Sequence, residues 1–501
     1  MYRSTRKQTG FEDFEQPAGM HLERDNRWVR MAEMIPWEDL EDSYAEQFTK
    51  KSGRPSHSAR MVLGALLIQG FYQCSDRELP LMIQENPYLQ YFCGMKTFDA
   101  SHPPFSASAL VSFRRRFSKA ILDDINEKII RKADEEAGNT ADRDDDEDGG
   151  PGSGAEAPDR TCDASAGGGA EETAADSRDS KNGGTLILDA TCSPADIRFP
   201  QDTSVLNEAR EKAEMLIDRL HAQTGGSKPR TYRVRAAGEY KTFVRRRRPT
   251  AKQRRKMIRR QLGYLNRDLQ HIQNLQETGG VLDEKEKELL QVLIKVYEQQ
   301  KYMYDTGSHK VKDRIVSISQ PWIRPIVRGK AKNPTEFGPK IHMSDSDGWV
   351  RLEEVSYDAF NESTRLQECV EAYRERTGHY PGRVLADKIY RTRENLRYAK
   401  EAGFRLLGPK LGRPKQNDQE DREQMVQDGR DRIEIEREFS LAKRCCGMAQ
   451  LKTHLQETNN CSPGISIILL NLKKAFRDLF DLFYRLYIIA YISEEHSFQE
   501  I

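Results

Sequence analysis

Thr185-Leu186-Ile187-Leu188-Asp189-Ala190-Thr191 is an apolar run rich in strand-forming residues, with a single acid close to its end. A run without polar alternation suits a strand covered on both faces. It carries Asp189 toward the strand's end. Downstream, Leu262, Leu265, Leu269, Ile272 and Leu275 recur at spacings of three and four. Thr278-Gly279-Gly280 then breaks that helix, and Asp283 with Glu286 caps another through Leu289, Leu293 and Val296. The result is a helical hairpin, and its leucine seam is expected to pack on itself rather than form a dimer zipper.

Strands are expected again at Arg314-Ile315-Val316-Ser317-Ile318. Residues 337–355 read as a β-hairpin turned at Asp347-Gly348. A helix from about Ser363 to Arg376 is stopped by Gly378. Val384-Leu385-Ala386 is a short strand that delivers Asp387. Then come a helix over Arg393–Ala402 with Gly403 after it, a strand at Phe404–Leu407, and a helix from about Asp431 to Cys446. With the helical hairpin set aside, this order is the ribonuclease-H-like one. The expected fold class is therefore α/β, a mixed-sheet catalytic domain over 185–478 with a basic helical insertion (225–310) after the first strand.

Ahead of it, residues 1–134 read as an all-α DNA-binding domain. Ser56-His57-Ser58 precedes the apolar run Met61–Ile68, Ser75 forms a capping box with Glu78, and Ser106 precedes a helix bearing Arg114, Arg115 and Arg116. Residues 135–184 are Asp-, Glu-, Gly- and Ala-rich without apolar periodicity, and read as a disordered acidic linker. Residues 479–501 read as a C-terminal helix and tail.

The 501 residues carry 80 Lys and Arg against 79 Asp and Glu, a net charge of +1. That balance hides a segregation. The acidic linker opposes Arg245 to Arg260 (RRRRPTAKQRRKMIRR), so the rest of the chain has the positive excess of a phosphate-binding protein. Arg245, Arg246, Arg247 and Arg248 are the expected backbone contacts. The apolar run Ile465–Leu472 is too short to span a bilayer, and no secretory signal is visible, which points to a cytoplasmic, nucleoid-associated protein. The eight cysteines show no metal-ligand spacing and are read as reduced thiols, the Cys445–Cys446 doublet as buried small hydrophobes.

Asp189, Asp387 and Glu436 are the candidate catalytic and metal-binding residues. Two Asp on strand ends and one Glu on a neighbouring helix supply the hard oxygen ligands needed to hold two magnesium ions about 4 Å apart for phosphodiester chemistry, with Mn2+ as a substitute. Helical phase selects Glu436 over Glu434 and Glu438. Arg432 lies four residues before it and Lys443 seven after, on one face, and both are expected to contact DNA phosphate. The bland readings are a turn or cap for each Asp, a solvated helix face for Glu436, and helix salt bridges for Arg432 and Lys443. Asp202 is expected to cap the helix through Leu206, and Trp322, Trp349, Tyr390 and Tyr398 to serve as packing.

The stretches DATCSPADIRFPQDTSVLNEARE, LADKIYRTRENLRYAKEAGFRLLGPKLGRP and RIEIEREFSLAKR resemble the DDE transposases of bacterial insertion sequences. The resemblance extends to IVSISQPWIRPIVRGKAKNPTEFGPKIHMS and to the N-terminal helical segment. It covers most of the chain outside the acidic linker. One group of that family carries a Tyr-Arg-Glu-Lys signature, which Arg432, Glu436 and Lys443 match, while position 429, where the Tyr would fall, is Gly429. The resemblance implies an enzyme that binds terminal inverted repeats, pairs them in a homodimer, hydrolyses DNA with magnesium and joins the freed 3′-hydroxyls to target DNA. Alternatives are a non-catalytic DNA-binding protein and a ribonuclease-H-like nuclease without strand transfer.

Overall fold

A computed structural model describes residue 2 and residues 8–48, 56–141, 182–327, 335–408 and 419–499, with the backbone alone at 137–141, 419–422 and 478–499. Its centre is β1 (Thr185–Cys192). Leu186 and Leu188 enter one hydrophobic cluster and Ile187 enters another, so alternate residues of this strand fill cores on both sides of the sheet. That double burial explains the unbroken apolar run.

A small ladder of β2 (Pro325–Val327) and β3 (Thr335–Phe337) stands apart. The main sheet is completed by β4 (Lys340–Ser346), β5 (Trp349–Ser356), β6 (Arg383–Ala386) and β7 (Arg405–Leu406), in the order β5-β4-β1-β6-β7. β4 is antiparallel to both of its neighbours, β5 and β1, whereas β6 and β7 run parallel to β1. This mixed sheet is consistent with a ribonuclease-H-like domain. Asp347 and Gly348, both with positive φ (55° and 75°), close the β4–β5 hairpin where expected. Arg314–Ile318 forms no strand. Ile315 and Ile318 are buried against the inserted helices, and Val316 packs beside Ile323 and Tyr357. Burial produced the alternation there, without a partner strand.

The first helices are α1 (Arg27–Met34), α2 (Trp37–Ala45), α3 (Ala59–Tyr72), α4 (Glu78–Glu85), α5 (Pro87–Phe92), α6 (Ala109–Arg115) and α7 (Lys119–Ala141). Ser58 caps α3, and Ser75 and Glu78 exchange the reciprocal bonds of a capping box. α7 continues through 135–141, the front of the expected linker; residues 142–181 lie outside the described ones.

Four helices lie between β1 and β2: α8 (Asp202–Thr224), α9 (Arg233–Val244), α10 (Ala251–Glu277) and α11 (Glu284–Thr306). The leucine seam of α10 packs on α8 as well as α11. Asp202 is not the cap of α8: Gln201 takes that place, and the Asp202 carboxylate accepts from Gln300 at 3.0 Å and Arg314 at 2.7 Å. The sheet is covered by α12 (Leu366–Thr377) and α13 (Arg393–Ala402) on one side. Gly378 and Gly403 end these helices at φ of 80° and 78°. The chain finishes with α14 (Gln419–Asp431), α15 (Ile433–Cys445) and α16 (Gln456–Gln499).

α16 draws the first helices and the sheet into one core, in which Leu63, Ile129, Met343, Ile435 and Ile468 belong to a single cluster. β5 is an edge strand, and Asn471 of α16 satisfies it as a neighbouring strand would. Its amide oxygen accepts the Val350 N–H at 3.1 Å and its amide nitrogen donates to the Val350 carbonyl at 2.8 Å. Asn126 of α7 donates to that carbonyl too, and Arg351 reaches Glu127. Trp349 is buried and bonds Asp134, a packing role as expected. No helix among the described residues is long and apolar enough to cross a membrane. Cys446 is buried but Cys445 is exposed, correcting the expectation for that doublet.

The inserted bundle holds a costly polar layer. Asp268 is fully buried, with no hydrogen bond to either carboxylate oxygen, near the Arg210–Glu214 pair. Burial, and then the Glu214 charge, push its pKa up to about 7. An acid raised in the folded state keeps its proton where the unfolded chain has lost it. Stability therefore falls as pH rises from about 4 to 7 and stays low above. Asp268→Asn should stabilise the fold by about 1–3 kcal/mol at pH 8 and by less at pH 5, read from urea unfolding at the two pH values. A gain independent of pH would remove the charged carboxylate as its cause.

Candidate active site

The parallel register of β1 and β6 places Leu188 beside Ala386, so Asp189 and Asp387, the next residues, emerge side by side. Asp387 is exposed. Its Oδ1 accepts the Lys388 N–H at 2.6 Å and caps the short turn Lys388–Tyr390. Asp189 is half-buried, its Oδ1 accepting the Ala190 N–H at 2.8 Å.

The third carboxylate arrives on α15. Arg432, in the break between α14 and α15, donates to Glu436 Oε1 at 3.1 Å, and its guanidinium lies 3.7 Å from Asp189 Oδ2. One cation thus bridges two of the three expected carboxylates. Lys443, further along the same helix, donates to Thr191 Oγ1 at 2.8 Å. Thr191 is two residues beyond Asp189 and so on the same face of β1. The Arg432–Glu436–Lys443 face of α15 therefore lies along the Asp189–Thr191 face of the strand.

The other acids of α15 are placed differently. Glu434 pairs with Arg437 at 3.1 Å. Glu438 is buried, and burial followed by the charges of Asp345 and Glu434 pushes it up to about 7. Glu436 remains about half exposed beside Arg432.

α14, which has no apolar periodicity to announce it, fixes where α15 starts. Its Asp428 is buried at the bases of β6 and β7, accepting from Arg383 at 3.0 Å and from Arg405 and Gln424. Burial alone would raise this carboxyl, but those donors hold it below the usual range. Asp431 adds a 2.7 Å pair with Arg383, immediately before Arg432. A side chain built at Gly429 would meet nothing within 4 Å, so the position that the signature gives to Tyr opens on free space.

Behind the two Asp lies a contact with no signal in the sequence beyond a lone His in a buried strand. His342 of β4, paired with Ala190, has its Nε2 2.8 Å from the Tyr390 hydroxyl. Burial pushes His342 down to about 4, so it is neutral near pH 7. Tyr390 is raised by burial first and then by the charges of Glu362, Asp189 and Asp387, so the phenol keeps its proton and shares a hydrogen bond with the neutral ring. This bond fastens the turn that follows Asp387 to the strand beside Asp189.

The expected DNA contacts separate. Arg114 is buried and committed to Asp76 and Gln69, at 3.0 and 2.8 Å. Interior ion pairing has taken it, correcting the expectation that it meets DNA. Arg116 bonds Tyr44 and Ser56, and exposed Arg115 pairs with Glu457 at 2.8 Å. Arg245, Arg246, Arg247 and Arg248 are all exposed, between α9 and α10.

Three hard carboxylates near one sheet end suit a divalent cation in donor type. Among the described residues, however, no three acids, His or Cys are gathered closely enough to hold one. The Arg432 guanidinium compensates Asp189 and Glu436 instead.

Residues 17–116 match a family model described as a transposase domain (DUF772), and residues 384–473 match one described as a transposase DDE domain. The first spans α1–α6, and the second contains Asp387, Arg432, Glu436 and Lys443. The chain is also similar to an uncharacterized protein, ORF8, in the nfe locus of Rhizobium meliloti, 30% identical over 105 residues. That segment is 21% of this chain and half the length of the relative. No solved structure matches.

Tyr390→Phe leaves the buried His342 Nε2 without its hydrogen-bond partner and should cost about 1–3 kcal/mol of stability. Denaturant unfolding measures this, and an unchanged midpoint would mean that the bond adds nothing.

Proposed function

We propose that this chain, which belongs to the insertion-sequence DDE transposases, excises a DNA element at its terminal inverted repeats and joins the freed ends to a target. What supports this reading is the match to two transposase family models, together with Asp189 and Asp387 following paired residues of neighbouring strands and Arg432 lying between Asp189 and Glu436.

Asp189, Asp387 and Glu436 would hold the magnesium ions. Bound there, the metal supplies Lewis-acid stabilisation of charge on the phosphate oxygens and lowers the pKa of the attacking hydroxyl. The protein's own groups do the rest. Asp189 lies within β1 and Asp387 directly follows the neighbouring β6, and the Tyr390–His342 bond holds the turn that follows Asp387. Glu436, on a helix and half exposed, is the adjustable member of the set. Arg432 balances the carboxylates in the present arrangement and is close enough to turn to a DNA phosphate once they are neutralised. Lys443 adds positive charge on the same rim and orients Thr191. Water is the nucleophile for cleavage and a DNA 3′-hydroxyl for joining, so one set of residues serves both steps. Two copies of the chain, one on each end, would form the synaptic complex.

Asp189→Ala, Asp387→Ala and Glu436→Ala should each slow magnesium-dependent cleavage of an end-bearing duplex by a factor on the order of 10³ or more. Retention of the duplex in a gel-shift assay should be nearly unchanged. Wild-type cleavage by any one of the three would take that residue out of the site, and failure of the wild-type chain to join a pre-cut 3′-end would leave a nuclease rather than a transposase.

A further inference from the structure

The helices inserted after β1 present a second charged surface, remote in sequence from the carboxylates. On α10, Lys252, Lys256, Arg259, Gly263 and Arg267 fall within about 80° of one another at 100° per residue. They lie opposite Gln261, Leu265, Asp268 and Ile272, which face the bundle core. Gly263, in the middle of the row, is exposed, and a Cβ built there would meet nothing within 4 Å. Around it is an open hollow of about 330 Å³ lined by Lys256, Arg259, Arg260, Tyr264 and Arg267.

The neighbouring groups define this hollow and leave much of its charge uncompensated. Glu239 of α9 accepts from the Tyr264 hydroxyl at 3.2 Å and pairs with Arg260 at 3.3 Å, forming one wall. Arg267 stacks over Tyr232 at 4.8 Å, which holds its guanidinium in place. Lys252, Lys256 and Arg259 are exposed, and no ion pair is formed by them among the described residues. Like charges spaced three and four apart destabilise a helix, so this face is poorly suited to plain solvent and well suited to a polyanion. From Lys252 to Arg267 the helix rises about 22 Å, a length over which one strand of B-form DNA presents about six phosphates. The exposed Arg245–Arg248 segment leads into the same end of the helix.

We propose that this face of α10, with the hollow at Gly263 as its centre, is a track for the sugar-phosphate backbone of duplex DNA. It rests on the reading of the chain as a DNA transposase and adds a contact that grips DNA without reading bases, distinct from the carboxylate site. Glycine at 263 lets a phosphate approach the helix backbone between Lys256, Arg259 and Arg267.

Gly263→Leu is the decisive variant, because it changes no charge and favours the helix while filling the hollow. Anisotropy of a labelled duplex of unrelated sequence, with the full chain and no divalent metal, should show affinity reduced several-fold and thermal stability equal or higher. Lys256→Ala with Arg259→Ala should make the slope of log K against log salt shallower by about 2. Wild-type affinity in Gly263→Leu, or an unchanged slope in the double variant, would overturn the track. So would an equal loss for single-stranded DNA, which lacks the paired backbone. If the wild-type chain binds duplex and these variants bind equally well, only the track is lost; if the wild-type chain binds no duplex at all, the transposase reading falls with it.

Discussion

Everything in this fold hangs on the burial of β1 from both sides. Ile187 points into the core shared with the first helices, α15 and α16, and Leu186 and Leu188 point into the one built by α12 and α13. A strand so placed cannot slip by one residue without turning its whole apolar set around. Its register with β6 is thereby fixed, and with it the adjacency of Asp189 and Asp387. Asp189 is the one half-buried residue between the buried runs 186–188 and 190–192, so the constraint that builds the core also sets where this carboxylate emerges.

The sequence made the local elements of this architecture legible and left their partners hidden. The Asp347-Gly348 turn, the Gly378 and Gly403 stops and the Asp283–Glu286 box are set by backbone chemistry within a few residues, and all stand where they were expected. Arg314–Ile318 was misread because an apolar alternation reports burial, and burial here is against side chains rather than in a ladder. α14 was invisible because its fixing contacts, from Asp428 to Arg383 and Arg405, are ion pairs across the fold with no periodicity.

The candidate site divides in the same way. Helical phase was enough to set Glu436 apart from its neighbours, and the Arg432 bridge to both Glu436 and Asp189 follows that face. Phase could not reveal that Arg114 is spent on Asp76, since a basic residue on a short helix reads the same whether its partner is protein or phosphate. Nor could it reveal the Tyr390–His342 bond, whose partners are 48 positions apart. Contacts made at long range between single polar residues leave no repeating trace in a sequence.

The shared core of the first helices and the sheet has a mechanical meaning. Asn126, Glu127 and Asp134 of α7 all bond β5, and Asn471 of α16 closes the same edge. If the N-terminal helices hold a duplex, as their sequence leads one to expect, its distance from Asp189 and Asp387 would be set by this packing. The molecule would then act as a calliper: the number of base pairs between the gripped sequence and the broken bond would be a property of the protein's packing, the same at either end of an element.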